Sequence, residues 1–259
     1  LHVHSYYSML DGANQLKAMA STTKKLGMNA IALTDHGNMM GAYQFQNACK
    51  SAEIKPLIGS EVYLSPTTMG DRESAMARKR FHLLLLCESA EGYRNLSWLS
   101  STGYLKGFYY KPRIDMEALA SHAKGLICSS ACIQGPICRA VLDGRPADAD
   151  RYIDDFESIF GKGNFFLELM DHGIEDETRA NNALIELAKK HNTPLIATND
   201  CHYLTREAFD AHDVLLCIQT GKTLSNPERM RFEHNEFYIK PPSEMIKLFG
   251  NVDGAIENT

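Results

Sequence analysis

The sequence predicts an α/β domain in which strand and helix units alternate around a mainly parallel sheet. Short apolar runs alternate with segments of helical periodicity, and polar clusters follow several of those runs. The 259 residues, of which 44% are hydrophobic and 23% charged, are enough to bury one large core. If such units close into a barrel, the active residues should lie at the C-terminal strand ends.

Seven apolar runs are strand candidates by length and composition. They span residues 1–4, 30–34, 56–64, 81–86, 125–129, 165–169 and 194–199. Between the first two runs, apolar residues from Leu16 to Leu26 share one helix face, and Gly27 is placed to end that helix. Further helices are predicted over 42–52, 95–102, 149–160, 178–191 and 208–219.

Two segments interrupt this alternation. Residues 65–80 contain Pro66, Gly70 and mixed charges, so they predict a long surface loop that is either a functional lid or an irregular excursion. After Thr220 the pattern breaks, and a short helix over 243–249 follows Pro241 and Pro242. We therefore expect a barrel domain over 1–224 and a connector over 225–259 that leads to a following domain. Because the first residue is not Met, we also expect that the chain is cut from a longer one.

Composition narrows the class of protein. There is no apolar run long enough to cross a membrane and no secretory signal pattern, so we expect a cytoplasmic protein with no membrane partner. The seven cysteines are odd in number and lack CxxC spacing, which indicates reduced thiols that are mostly core residues. The net charge is −5 and the sequence contains no basic stripe. Any binding to DNA must therefore be local, be supplied by bound cations, or depend on further sequence.

The chemistry-bearing residues begin at His2-Val3-His4. Alternate residues on a strand point the same way, so two imidazoles at this spacing can share one metal ion. Taken alone this pattern is as often structural as functional. It gains weight because other imidazoles, carboxylates and a thiol lie beside later strands, and these are ligand types that zinc and related divalent metals accept. They are Asp11, Asp35, His36, Glu61, His82, Cys132, Asp200 and His202.

His82 does not fit the expected placement, because it precedes its apolar run whereas the other clusters follow theirs. Either that strand begins earlier or the barrel is distorted.

Two motifs identify a resemblance to a known family. The run from His2 to Gly12, together with Thr34-Asp35-His36-Gly37, resembles the opening motifs of the PHP (polymerase and histidinol phosphatase) superfamily. More narrowly, it resembles the PHP domain at the N-terminus of bacterial DNA polymerase III alpha subunits. Segments 107–115, 215–222 and 237–240 extend this match and favour the polymerase branch over the phosphatase branch.

The resemblance implies a distorted seven-stranded (β/α) barrel of the TIM type, the PHP fold, with up to three divalent metals held by nine residues. Zinc is favoured, with manganese or iron as alternatives. His2, His4, Glu61 and Asp200 would hold one metal. Glu61 would bridge to a second metal bound by His82 and Cys132, and Asp11, His36 and His202 would hold a third. Glu61, His36 and Asp200 are the candidate catalytic residues, and we expect Asp35 to orient His36.

The implied function is that of part of a DNA-directed DNA polymerase, a nucleotidyltransferase. Within it, the domain would be a metal-dependent phosphoesterase with 3′→5′ exonuclease activity on a primer 3′ end, working beside other holoenzyme subunits. One alternative is a metal-stabilised domain that braces the polymerase and docks a separate proofreading exonuclease. Another is a free-standing phosphatase for small phosphates, which the polymerase-type segments disfavour.

Two further features leave alternatives open. Segment 109–113 interleaves aromatic and cationic residues, as single-strand binders do, but a rigid packing loop is an equal alternative. Asp171-His172 is a weaker candidate for an extra ligand pair. We expect the remaining histidines, His122, His191, His212 and His234, to be structural or solvent-facing.

Overall fold

The computed structural model describes all 259 residues as a curled sheet surrounded by helices. The strands are β1 (Ala30–Leu33), β2 (Lys55–Leu64), β3 (Phe81–Cys87), β4 (Phe108–Tyr109), β5 (Lys111–Ile114), β6 (Leu126–Ser129), β7 (Phe165–Leu169) and β8 (Leu195–Ala197). The helices are α1 (Leu16–Lys25), α2 (Ala42–Ala52), α3 (Ala90–Leu105), α4 (Met116–Ser121), α5 (Pro136–Leu142), α6 (Pro146–Phe160), α7 (Glu175–His191), α8 (Phe209–Thr220) and α9 (Pro242–Phe249).

The sheet runs in the order β4-β5-β2-β3-β6-β7-β8, and β1 pairs with the first half of β2. The amino-terminal segment (residues 1–5) closes the gap between β1 and β8. Thr34 N donates to Val3 O at 2.9 Å on one side, and His4 N donates to Cys201 O at 2.8 Å on the other. The seven predicted runs thus form the wall of the barrel. The prediction of a distorted TIM-like barrel is confirmed.

β3 departs from the expected parallel arrangement, because it runs antiparallel to both β2 and β6. His82, near the start of β3, pairs with Tyr63, near the end of β2. The beginning of an antiparallel strand lies at the same rim as the ends of its parallel neighbours. This explains why His82 precedes its apolar run and still reaches the rim where the other polar clusters lie.

Strands β4 and β5 form a small hairpin that the sequence pattern did not predict. Tyr110 turns it in the left-handed region, with φ of 62°. Arg113 in β5 is fully buried, and its guanidinium donates to the carbonyl oxygens of Gly107, Met69, Asp71 and Ala77. A buried Arg113 cannot contact a phosphate in solvent. Instead it anchors the 65–80 loop to the barrel, which favours the rigid-packing alternative for this residue.

The main apolar core contains 29 buried residues contributed by strands β2, β3 and β5 to β8 and by the helices outside them. A second cluster of 12 joins the amino-terminal segment, α1, β1 and α2. Phe249 and Ala255 belong to the main core, so the end of the chain packs on the barrel, and the domain boundary at 224/225 stays a prediction. No helix combines the length and apolar character that a membrane crossing requires.

Candidate metal centre

All nine predicted ligand residues converge at one rim of the barrel. Among them are three groups of three residues, and within each group the ligand atoms all lie within 4.8 Å of one another. The groups are His2 with His4 and Asp200, His36 with Glu61 and His82, and His4 with His36 and His202. Because His4 and His36 each belong to two groups, the three form one continuous cluster.

The first group depends on the alternation of the amino-terminal segment. His2 and His4 point the same way, and their Nε2 atoms lie 3.4 Å and 3.0 Å from Asp200 Oδ1. Asp200 follows β8 with a left-handed backbone, φ 38°, a conformation that costs free energy for a residue with a Cβ. The local backbone is therefore held in an unfavourable state that directs this carboxylate at both imidazoles.

Glu61 occupies the centre of the cluster, and both of its oxygens have imidazole neighbours. Oε2 lies 2.5 Å from His36 Nδ1, whereas Oε1 lies 2.8 Å from His82 Nδ1 and 3.3 Å from His2 Nε2. Cys132 Sγ is 3.8 Å from the same Oε1. This carboxylate therefore connects the group around His2 to the group around His82.

Asp11 reaches the cluster from the turn after the amino-terminal segment. Its Oδ1 lies 3.1 Å from His36 Nε2, and its Oδ2 lies 3.8 Å from His202 Nε2. Gly12 makes this turn possible, since a Cβ there would lie 1.9 Å from Ser5 O. His36 contacts both Asp11, a member of its implied metal set, and Glu61, a member of the other two.

Unpartnered buried atoms in this structure test whether the donors fit a cation. Eight buried side-chain nitrogen or oxygen atoms make no hydrogen bond of acceptable geometry, and the six of them that belong to predicted ligands crowd against one another instead. Orphaned buried polar atoms are uncommon in folded proteins, so their concentration in one place points to a missing partner. Imidazole, carboxylate and thiol groups around a shared space fit divalent metals. The six residues are His2, His4, Asp11, His36, Glu61 and Asp200.

The electrostatics are those of closely packed opposite charges. Burial disfavours the ionised Glu61 carboxylate, but the imidazoles of His82 and His36 outweigh it and hold its pKa well below its usual value. Burial, reinforced by His36 and His202, lowers the pKa of His4 to about 3. Burial, with Glu61 and Asp200 adding to it, raises the pKa of the Cys132 thiol well above its usual value. Three carboxylates are thus kept ionised and the His4 imidazole neutral, as metal ligation requires, whereas neighbouring carboxylates raise the pKa values of His2 and His36, so that these two imidazoles and the Cys132 thiol must each release a proton when a metal binds.

A second layer of side chains holds the ligands, and one member was missed from the sequence. Glu168 in β7 is buried, and its Oε1 lies 3.0 Å from His2 Nδ1. The hydroxyls of Ser129 and Thr198 donate to this carboxylate. The available signal was a lone carboxylate inside the apolar run Phe165–Leu169.

Asp35 does not orient the His36 ring, which corrects the expectation from sequence. Its carboxylate accepts hydrogen bonds from Ser5 N, Ser5 Oγ and Ser8 Oγ. Ser8 Oγ in turn lies 3.0 Å from His4 Nδ1 and accepts from the backbone N–H of His36. The carboxylate is therefore engaged by the turn around Ser8, and through that hydroxyl it acts on His4.

The pair Asp171-His172 is not part of the cluster. Both ring nitrogens of His172 are already engaged, Nδ1 by Glu177 Oε1 at 2.6 Å and Nε2 by Asn199 O at 3.0 Å. The ring also stacks on Phe237 with centroids 3.7 Å apart. His172 is a structural residue that supports the loop before Asp200.

Comparisons with known proteins agree with this geometry. The PHP domain family model matches residues 1–172. The whole chain aligns with DNA polymerase III subunit alpha of Treponema pallidum at 46% identity, and with that of Borreliella burgdorferi at 45%. These alignments cover 22% and 23% of the two relatives, so the chain spans less than a quarter of their length.

A solved structure shares the fold. A proposed metal-dependent phosphoesterase from Bifidobacterium adolescentis superposes with a TM-score of 0.52 and 13% identity, covering 95% of this chain and 94% of that one. At this identity the likeness concerns the barrel architecture alone.

Proposed function

Because the chain belongs to the PHP domain family, we propose that its nine-residue cluster binds divalent metal ions and that the domain is a metal-dependent phosphoesterase. The observation that carries this proposal is the concentration of unpartnered ligand atoms at one barrel rim. The fold neighbour from Bifidobacterium adolescentis, itself a proposed phosphoesterase, shares the barrel architecture that carries this site.

Each of the nine side chains would serve as a ligand to one or more of the metals. Divalent ions in such a cluster supply Lewis acidity that activates water near neutral pH and offsets the charge of phosphate oxygens. Glu61 would fix the spacing between ions, since its two oxygens face different groups of imidazoles. Cys132 is a soft donor and favours zinc over manganese or iron. The ligands are His2, His4, Asp11, His36, Glu61, His82, Cys132, Asp200 and His202.

Access to the cluster is one-sided. The side chains of His2 and His4 are fully buried, whereas those of His36 and His82 are 13% and 20% exposed. A phosphate group would therefore approach from the edge formed by His36 and His82. Glu61, His36 and Asp200 are the residues to which we assign the catalytic roles, and Glu61 contacts four of the ligand imidazoles.

Within this class, 3′→5′ exonuclease activity on DNA is the reaction we favour, because the relatives are DNA polymerase III alpha subunits. A primer 3′ end would be the substrate, the other holoenzyme subunits the partners and the cytoplasm the setting. In the test, a primer carrying a 3′ mismatch is incubated with the purified protein and with zinc or manganese. A chelator-treated sample of the protein is incubated with the same primer in parallel. We expect nucleotide release that the chelator abolishes and that Asp200→Asn reduces by at least ~100-fold, as removal of one electrostatic catalytic group commonly does.

The control for this assay is Asp171→Asn, which changes a nearby carboxylate that is outside the cluster. It should release nucleotides like the wild type. Absence of release under every metal supplement would contradict the exonuclease assignment, and hydrolysis of a small phosphomonoester without any action on DNA would return the phosphatase alternative.

A second candidate function is a non-catalytic one. The cluster draws ligands from the amino-terminal segment, β2, β3 and the turns that follow β1, β6 and β8, so bound metal would tie most of the ring together. Such a domain could brace a polymerase and dock a separate exonuclease. Cys132→Ala in the full polymerase separates the two: loss of stability and partner binding favours bracing, and loss of nuclease activity from an intact complex favours catalysis.

A further inference from the structure

A basic cleft of about 770 Å³ opens beside the metal centre. His82, Phe81 and Tyr152 are among its lining residues. Its lining is dominated by cations, which are Arg78, Lys79, Arg80, Arg139, Arg145 and Arg151. We call this region, defined by those six residues, the basic cleft.

The charge of the basic cleft is only partly neutralised within the protein. Asp143 accepts from Arg139 and Arg145, and Asp148 accepts from Arg145 and Arg151. Six cationic groups thus face two carboxylates. The net charge of the basic cleft is therefore positive, although the chain as a whole carries a net charge of −5. A concave surface lined by one sign of charge concentrates ions of the opposite sign.

The fold brings these cations together from separate stretches of chain. Three lie at the end of the 65–80 loop, whereas Arg139 is in α5, Arg145 precedes α6 and Arg151 is in α6. The sequence showed no basic stripe because these cations are divided between the short run Arg78-Lys79-Arg80 and single residues between 139 and 151, which only the fold brings together.

The basic cleft is continuous with the exposed edge of the metal centre. His82, which lines it, is also 2.8 Å from Glu61. The Tyr63 ring packs edge-on against His82 and lies beneath two cations, Arg80 at 5.9 Å and Lys111 at 5.4 Å. The cations of the basic cleft therefore line the same cavity as His82, the most exposed of the ligand imidazoles.

We propose that the basic cleft holds the sugar-phosphate backbone of a single-stranded nucleic acid and leads one end of it to the metal centre at His82. The proposal rests on the phosphoesterase function proposed above and specifies its substrate class as a strand rather than a small phosphate ester. The volume is that of a site for a ligand of many atoms, and six spread cations exceed what one phosphate engages. Tyr152 and Phe81 offer aromatic surface beside the cations, as strand-binding grooves do.

The test compares two doubly substituted proteins with the same change of charge. Lys79→Glu with Arg145→Glu reverses two exposed cations of the cleft, and Lys17→Glu with Arg94→Glu reverses one exposed lysine and one exposed arginine elsewhere. Binding of a fluorescein-labelled oligothymidine with phosphorothioate linkages is followed by anisotropy over a range of salt concentrations. The modified linkages resist hydrolysis, so binding is measured independently of the reaction.

We expect the cleft variant to bind at least ~10-fold more weakly than the control variant at low salt. The slope of log affinity against log salt should also become shallower by about 0.7 for each phosphate that the cleft no longer neutralises. Hydrolysis of bis(p-nitrophenyl) phosphate, which needs no strand path, should remain at the level of the control variant. If the wild type hydrolyses no small diester with any metal, the phosphoesterase proposal fails, while the anisotropy still decides the role of the basic cleft.

Equal affinity of the two double variants for the strand would overturn the proposal. So would binding of a polyglutamate peptide as tightly as the oligonucleotide, because the cleft would then select acidic chains in general. Thermal unfolding checks that both variants fold. If the double cleft variant does not, Lys79→Glu alone repeats the comparison against Lys17→Glu, since Lys79 is exposed and forms no ion pair.

Discussion

Glu168 Oε1 lies 3.0 Å from His2 Nδ1, on the side of the ring opposite to the Nε2 atom that faces Asp200 and Glu61. A carboxylate at Nδ1 keeps the proton on that nitrogen and leaves the lone pair of Nε2 directed into the cluster. Glu168 is itself held by hydroxyl donors from Ser129 and Thr198. Glu168 in β7 therefore sets the tautomer of His2. It does so from the side of the imidazole that faces away from the cluster.

Glu168→Gln should weaken metal binding by about 10–100-fold, the usual effect of losing an outer partner of a ligating histidine. Competition with a chromophoric chelator measures the affinity. Glu177→Gln is a matched control, because Glu177 is a buried carboxylate that contacts the non-ligand His172. If both substitutions lower metal affinity equally, the effect is general destabilisation and Glu168 has no special role.

Chelation should lower the thermal unfolding temperature of the protein. A ligand that binds only the folded state contributes about 2.7 kcal/mol at a hundredfold excess over its Kd, which corresponds to about 5–10 °C for a chain of this size. Calorimetry with and without a chelator, followed by re-addition of zinc, checks this. An unfolding temperature that is the same in both states would mean that no ion occupies the cluster under those conditions.

Gly12→Ala should disturb the metal centre from the backbone. The new Cβ would lie 1.9 Å from Ser5 O and 2.9 Å from Ser8 Cβ, so the turn carrying Asp11 must shift. We expect a loss of about 1–3 kcal/mol of stability from this overpacking, together with lower metal occupancy. Urea unfolding and metal analysis give the two values. Gly70→Ala, where a Cβ meets nothing within 4 Å, is the control and should behave like the wild type. A wild-type result for Gly12→Ala would refute the close approach of Gly12 to Ser5 O.

Arg113→Met should release the 65–80 loop. Four backbone carbonyls lose their donor, and each buried polar group left unsatisfied costs about 1–3 kcal/mol. Limited trypsin digestion should then cut early at Arg72, Arg78 and Lys79, with the fragments identified by mass spectrometry. Arg94→Met, which replaces an exposed arginine, removes one cleavage site of its own but should leave cleavage within the 65–80 loop unchanged. Unaltered resistance of the loop in Arg113→Met would show that other contacts hold it.

Much of the site could be predicted because its residues lie at the ends of recognisable apolar runs. Strand alternation places His2 and His4 together, and the position of Asp200 after the last run follows from the same pattern. The set of nine nevertheless required the family resemblance, since Asp11 and Cys132 have no local pattern that distinguishes them from structural residues. Their convergence in the structure is consistent with that resemblance.

The features that escaped prediction all depend on strand direction or on long-range packing. Nothing in the run Phe81–Cys87 indicates that it is antiparallel, so the position of His82 could not be explained. Glu168 is a single charge within an apolar strand, and its role depends on β7 lying beside the amino-terminal histidine. The sequence could not decide between strand binding and packing for the segment containing Arg113, because only the folded hairpin and loop enclose this cation.

The convergence of nine ligands on shared cations is tested most directly by anomalous diffraction from crystals grown with zinc or manganese, recorded on both sides of the metal edge. We expect anomalous peaks inside the cluster, with one bounded by His2, His4 and Asp200 and another beside Glu61 and His82. An anomalous map without a peak among these side chains, from protein that retains its fold, would contradict the metal centre and the phosphoesterase function built on it.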